Sequence, residues 1–150
     1  MFGSRYAPKL GMACVIYHFN NQIKETNELK LFKGSHGYAD GEQLRDFIFV
    51  DDVVNVNLWI MKHKEVSGIF NVGTGRANSF NDVARLVVDW HKNGSIKYVP
   101  FPDSLKGSYQ SFTEANLNKL RATGCDYEFT SLKDGVNSYL KQLNSNSNVT

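Results

Sequence analysis

The stretch Arg45-Asp46-Phe47-Ile48-Phe49-Val50-Asp51-Asp52-Val53-Val54 is answered further along the chain by Gly68-Ile69-Phe70-Asn71-Val72-Gly73-Thr74-Gly75. Residues 47–50 form a continuous apolar run, which fits a strand covered on both faces, as parallel sheets require. Asp51 and Asp52 then stand where a helix begins, and carboxylates there complement the positive end of the helix dipole. The second stretch repeats the plan: a strand over residues 69–72, a glycine turn, and a helix opening at Ser79. Strand, helix, strand, helix is the alternation of an α/β layer.

Working outward, residues 1–8 read as loop, punctuated by Gly3, Ser4 and Pro8. A helix follows to about Thr26, with Met12, Val15, Ile16, Phe19 and Ile23 on one apolar stripe. Gly11, Cys14 and His18 share another face, small and polar enough to approach a ligand, although a surface histidine is the plainer reading of His18. Residues 29–32 are expected as a short strand and Lys33-Gly34-Ser35 as the turn out of it. Residues 36–43 are polar and glycine-bearing, hence an exposed loop. The helix over residues 52–63 should turn Val53, Val56, Ile60 and Met61 inward. Ser79 and Asp82 have the spacing of a capping box, ahead of a helix burying Phe80, Val83, Leu86, Val87 and Trp90. Residues 96–99 are expected as a strand stopped by Pro100-Phe101-Pro102. Thr113 is expected to cap a short helix through Leu117 and Leu120 that stops at Gly124. A last helix from Ser131 should bury Leu132, Val136, Tyr139, Leu140 and Leu143. Residues 144–150 form a polar tail expected to be disordered.

The 150 residues suffice for one domain with a real core, and 41% hydrophobic with 21% charged residues is ordinary for a globular chain. A net charge of +2, carried by dispersed basic residues, gives no case for a nucleic-acid partner. Cys14 and Cys125 form no CxxC or Cys/His cluster, so no metal site is expected. No apolar run approaches ~18 residues and no signal-peptide pattern is present, so the expectation is no membrane span and a cytoplasmic location.

Two stretches invite chemistry. Gly73-Thr74-Gly75 follows an expected strand, but Asn78 stands where a dinucleotide loop would carry its third glycine, and a tight strand-to-helix turn is the better reading. Arg45 offers a planar fork of donors that can grip a diphosphate bidentately. An ion pair with Asp46 or Asp51 is the competing reading.

The Arg-Asp pair leading into Val-Asp-Asp-Val, followed by Phe-Asn-Val-Gly-Thr-Gly, resembles the C-terminal half of extended short-chain dehydrogenase/reductases of the NAD-dependent epimerase/dehydratase family. Lys106-Gly107-Ser108-Tyr109-Gln110-Ser111-Phe112-Thr113, Leu31-Phe32-Lys33-Gly34-Ser35 and Lys9-Leu10-Gly11-Met12-Ala13 resemble the branch that epimerises ADP-linked heptose for lipopolysaccharide core synthesis. The resemblance runs from Met1 to about Leu143. It implies the end of a Rossmann-type layer plus the smaller substrate-binding α/β domain over residues 1–143.

For the site, the resemblance implies that Arg45 binds the nucleotide diphosphate and Phe32 packs on adenine. Lys33, Gly34 and Ser35 would then offer backbone donors, Tyr109 would close over sugar or phosphate, and Gly11 and His18 would complete the substrate set. Lys9 would be one of two acid/base groups and, with Met1, would touch NADP or NAD. The second group, a tyrosine of a Tyr-x-x-x-Lys motif, and the glycine-rich cofactor loop lie upstream in the family. Neither motif occurs in these 150 residues. The implied reading is a C-terminal portion, from a gene fragment, an internal start or a split gene, and inactive by itself. The complete enzyme would be a homo-oligomer, and this chain would meet a separate N-terminal chain. A hexose 4-epimerase of the same superfamily and a non-catalytic nucleotide-sugar-binding fragment are the alternatives.

Overall fold

Ile16, Phe19 and Ile23 recur at helical spacing, and the helix this predicts, α1 (Val15–Thr26), buries all three. It ends at Asn27, whose left-handed conformation (φ 54) lets its N–H reach the Ile23 carbonyl. The chain then extends into β1 (Glu28–Phe32). In the computed structural model, which describes residues 14–105 and 109–145, β1 pairs in parallel with β4 (Ser95–Val99). Leu29 lies opposite Ile96 and Leu31 opposite Tyr98. Between these strands run β2 (Leu44–Arg45), α2 (Val50–Lys62), β3 (Asn78–Ser79) and α3 (Phe80–His91). A 3-10 turn at Asp103–Leu105, a short α4 (Asn118–Arg121) and α5 (Leu132–Ser145) complete the order.

The main core lies where α1, α3 and α5 meet β1. Ile16, Leu29, Val83, Val87, Val136 and Leu140 are all fully buried there. Burying an aliphatic side chain of this size is worth about 1.5–3 kcal/mol, so this layer is the main source of stability. The Ser79–Asp82 capping box forms as expected: Asp82 N–H donates to the Ser79 hydroxyl and Ser79 N–H to the Asp82 carboxylate. A second, smaller cluster gathers Val56, Leu120 and Cys125 with Trp59, Ile60, Phe70 and Val72 around them.

The two strands expected at residues 47–50 and 69–72 do not form. Helix α2 begins at Val50 itself, capped by Phe49, which is extended at φ −73 and ψ 139. Residues 69–72 join no ladder among the described residues, and Ile69 is 88% exposed. Extended backbone becomes a strand only where a neighbour takes its N–H and C=O groups. Within residues 47–50 only Phe49 forms a bridge, a single one and no ladder, and residues 69–72 form none.

What joins the two segments is a side chain. The Asp46 carboxylate accepts from Thr74 N–H (2.8 Å), the Thr74 hydroxyl (2.6 Å), Gly75 N–H (2.9 Å) and Ala115 N–H (3.0 Å). A Cβ on Gly73 would sit 2.5 Å from both the Asp46 Oδ2 and the Ala115 Cβ, so glycine alone fits this approach. Buried Asp52 plays a parallel part at the start of α2. It accepts from Thr130 N–H and hydroxyl and from the Tyr127 hydroxyl, fastening the segment ahead of α5.

Four smaller expectations are corrected. Met61 is 73% exposed, because Val56, Trp59 and Ile60 already face the second cluster and Met61 falls one position further round the helix. The loop over residues 36–43 is not wholly exposed: Gly41 and Gln43 are buried, with Asn81 N–H donating to the Gly41 carbonyl. Thr113 caps nothing; its N–H donates to the Leu44 carbonyl, and the helix starts only at Asn118. Asn144 and Ser145 belong to α5, and the Asn144 side-chain amide donates to Asn20 Oδ1 at 3.0 Å. The rest of the expected tail, residues 146–150, lies outside the described residues.

Two predictions follow from these contacts. Asp46→Ala strands several donors at once, and should destabilise the fold by about 2–4 kcal/mol in denaturant titration, with Asp46→Asn milder. A loss below about 0.5 kcal/mol would mean that the carboxylate does not hold the turn. The second concerns His91, whose Nε2 meets Asn20 Oδ1 at 3.0 Å. Burial, helped by the charge of Lys24, lowers its pKa below the ordinary histidine value of 6.5. The unfolded chain therefore binds the proton more readily. The stability His91 contributes is complete above about pH 6.5 and is lost as pH falls through the lowered folded value. Thermal melts of the wild type should fall more steeply between about pH 7 and pH 5 than those of His91→Gln. Parallel curves would refute the linkage.

Candidate functional site

Three elements converge on one cleft of about 550 Å³. Helix α1 brings Val15, His18 and Phe19, because residues three and four apart share a face. The end of β1 brings Lys30 and Phe32. Gln43, Phe80 at the start of α3, and Tyr109 close the far side. His18, Phe32 and Tyr109, separate in sequence, thus meet in one place.

Arg45 stands beside this cleft. Its guanidinium lies 5.0 Å from the centre of the Tyr109 ring and 5.8 Å from that of Phe80, within cation–π range of both. One of its donors goes to the Leu44 carbonyl at 2.8 Å. Neither of the ion pairs weighed for Arg45 forms: among the described residues the salt bridges are Arg85–Asp82 and Lys97–Glu28, and Asp46 is committed to the glycine turn. Tyr109 feels both influences. Burial pushes its hydroxyl pKa up, and the neighbouring Arg45 charge pulls it back down.

The Lys33-Gly34-Ser35 turn departs from expectation. Lys33 N–H donates to the Val99 carbonyl and Gly34 N–H to Asp40 Oδ1 at 2.7 Å, so these donors are not open to a phosphate. Gly34 serves close packing instead, since a Cβ there would lie 2.2 Å from the Tyr38 carbonyl oxygen. The turn is tied to the cleft through Gln43, whose side-chain amide donates to the Lys33 carbonyl (3.2 Å) and the Ser35 hydroxyl (3.4 Å).

The face that Cys14 was expected to share with His18 divides. His18 lines the cleft, while Cys14 packs on the core and helps burial push the Tyr139 hydroxyl up. Met1, Lys9 and Gly11 lie outside the described residues, as do Lys106, Gly107 and Ser108. The described residues hold no cluster of three or more His, Cys, Asp or Glu suited to a metal, and no helix among them is long and apolar enough to cross a membrane.

Sequence reasoning passed over Phe101. Its ring meets Phe32 at 5.4 Å and Tyr109 at 5.0 Å between centres, both edge to face, and His36 at 6.3 Å. The one available signal was its place in Pro100-Phe101-Pro102, where two prolines fix the backbone beside a strand end.

A second cavity of about 580 Å³ lies on Phe47, Thr74, Arg76, Arg121 and residues 128–132. Though slightly larger, it holds none of the expected site residues, and two of its polar groups are engaged with the chain itself. Arg121 donates to the Cys125 carbonyl, and the Thr130 hydroxyl donates to Asp52. The glycine turn at residues 73–75 does not fit a dinucleotide phosphate, because Asp46 already occupies its N–H groups with a negative charge.

Residues 1–73 match the NAD dependent epimerase/dehydratase family. The ADP-L-glycero-D-manno-heptose-6-epimerase of Alkalilimnicola ehrlichii is 53% identical over 140 residues, covering 93% of this chain and 44% of that protein. The chain thus spans less than half the length of this curated relative. The crystal structure of Helicobacter pylori ADP-L-glycero-D-manno-heptose-6-epimerase superposes with a TM-score of 0.73 at 26% identity, over 91% of this chain and 39% of that one. Thermotoga maritima UDP-glucose 4-epimerase with UDP-glucose gives 0.75 at 26% identity, over 97% of this chain and 44% of its own. Residues 1–73 thus resemble the NAD dependent epimerase/dehydratase family, and the chain has the fold of part of an extended short-chain dehydrogenase/reductase.

Proposed function

We propose that this chain is the substrate-binding portion of an ADP-heptose 6-epimerase of lipopolysaccharide core biosynthesis, working in the cytoplasm. The observation that carries the reading is the convergence of His18, Phe32 and Tyr109 on one cleft beside Arg45. A nucleoside diphosphate sugar needs an aromatic surface for its base, a cation for its diphosphate and hydrogen-bonding groups for its sugar. Phe32 supplies the first. Arg45 supplies the second, its guanidinium anchored on the Leu44 carbonyl and set against the Tyr109 ring. Tyr109 and His18 supply the third, and Gly11 is proposed as a further substrate contact. Lys33 and Ser35 contribute through Gln43 and not through open backbone donors.

Calorimetric titration of ADP tests this directly. Arg45→Ala should lose a charge-assisted phosphate contact worth about 1.5–3 kcal/mol, or roughly 10- to 150-fold in Kd. Equal affinities of wild type and variant would remove Arg45 from the site.

The reaction proposed for the complete enzyme is epimerisation at the heptose C6 by transient oxidation, with NADP or NAD supplying the hydride chemistry when bound. Lys9 is proposed as one of two proton-handling groups and, with Met1, as a cofactor contact. The complete enzyme is proposed to be a homo-oligomer, and an N-terminal chain is the proposed source of the main cofactor site. The 150-residue polypeptide alone should then leave ADP-heptose unchanged in the presence of NADP. Joined to an N-terminal cofactor domain it should turn over, and Lys9→Met should lower that rate by roughly 10²–10⁴ at saturating cofactor. Turnover by the polypeptide alone, or a normal rate for Lys9→Met, would sink the respective claim.

A further inference from the structure

Two of the aromatic residues lining the cleft, Phe32 on β1 and Tyr109 after the 3-10 turn, do not hold each other. Both rest on Phe101, which stands outside the cleft lining and presents its ring to Phe32 at an interplanar angle of 65° and to Tyr109 at 83°. The third ring on Phe101 is His36, at 83°, from the loop that follows the Lys33-Gly34-Ser35 turn. Edge-to-face contact at these distances is the favoured geometry for aromatic pairs, because the positive edge of one ring meets the negative face of another. Phe101 is only half-buried, so its position in the core is not what dictates a ring there. Its backbone is fixed by Pro100 and Pro102 at the end of β4, while Tyr109 reaches it from the other side, its N–H donating to the Leu105 carbonyl. Tyr109 in turn carries the Arg45 guanidinium on its ring. Phe101 therefore links the end of the cleft nearest β1 with the cationic end through one pair of ring contacts.

We infer that Phe101 is a positioning residue for nucleotide binding: it sets the spacing between the Phe32 surface that takes the base and the Tyr109–Arg45 pair that takes the diphosphate. The inference rests on reading the cleft as a nucleotide site. It requires that a ligand with both base and diphosphate senses Phe101, and that a ligand with the diphosphate alone does not. A merely structural residue would affect both ligands alike.

The test uses the full chain with ADP and inorganic pyrophosphate as separate calorimetric probes. Phe101→Met keeps the volume but removes the ring, and Phe101→Tyr keeps the ring. Phe101→Met should weaken ADP about two- to tenfold while leaving pyrophosphate affinity within error, and Phe101→Tyr should restore ADP binding. Arg45→Ala should weaken both probes, which tests the underlying reading separately. If Phe101→Met weakens both probes equally, or changes neither while wild type binds ADP, the positioning role is overturned and the nucleotide reading stands. If Phe101→Met does not fold, Phe101→Tyr with ADP affinity below that of the Arg45→Ala variant would overturn it as well. If wild type binds neither probe, both readings fail together.

Discussion

Everything on the functional side of this molecule depends on one carboxylate. Asp46 accepts four hydrogen bonds, three from the turn at Thr74 and Gly75 and one from Ala115. Those bonds tie the end of β2 to two segments that reach it from far along the chain. The consequence for Arg45 is direct. The neighbouring aspartate is already saturated with donors, and adjacent side chains in extended backbone point to opposite faces. The guanidinium therefore leans on the rings of Tyr109 and Phe80 instead. Charge commitment at one residue leaves charge free at the next.

The same arithmetic of donors decides which turns can bind phosphate. Two turns look suitable by composition, Lys33-Gly34-Ser35 and Gly73-Thr74-Gly75. Both turn their amides inward, the first to Val99 and Asp40 and the second to Asp46. Glycine at these places serves close approach of backbone and side chain, as the 2.2 Å and 2.5 Å contacts of a hypothetical Cβ make plain. A glycine-rich turn binds an anion only when its N–H groups point outward and no carboxylate has reached them first. In the proposed site the diphosphate is therefore assigned to the side-chain cation of Arg45 and not to either turn.

Much of the fold was legible because its signals are local. The stripe of Ile16, Phe19 and Ile23 and the capping box of Ser79 and Asp82 depend on residues within two turns of each other. Strand pairing is not local. The apolar runs at residues 47–50 and 69–72 read as strands, yet the first makes no more than a single bridge at Phe49, the second joins no ladder among the described residues, and Val50 goes to the helix that follows. Site residues divide in the same way. Arg45, Tyr109, Phe32 and His18 could be chosen by type and by resemblance, but Asp46 could not, since its role is set by partners 28 to 69 positions away. Phe101 was hidden for the opposite reason. An aromatic between two prolines looks like a chain stop, and only the three-dimensional placement reveals three rings around it.

The cleft also explains why its polar groups are few. Apolar side chains, Val15, Phe19, Phe32 and Phe80 among them, make up most of its lining. Such a surface gives contact area without choosing an orientation, and a small number of polar groups must do the choosing. Gln43 is buried and already held by Lys33 and Ser35, so it fixes the wall and does not seek a ligand. His18 and the hydroxyl of Tyr109 are left to define direction. Tyr109 has the stronger hold on it, because burial favours its neutral, proton-donating form while Arg45 fixes the ring from the side. The phenol is thus kept neutral with a guanidinium over its ring. In the proposed site, that cation is what would favour a diphosphate over a neutral ligand of the same shape.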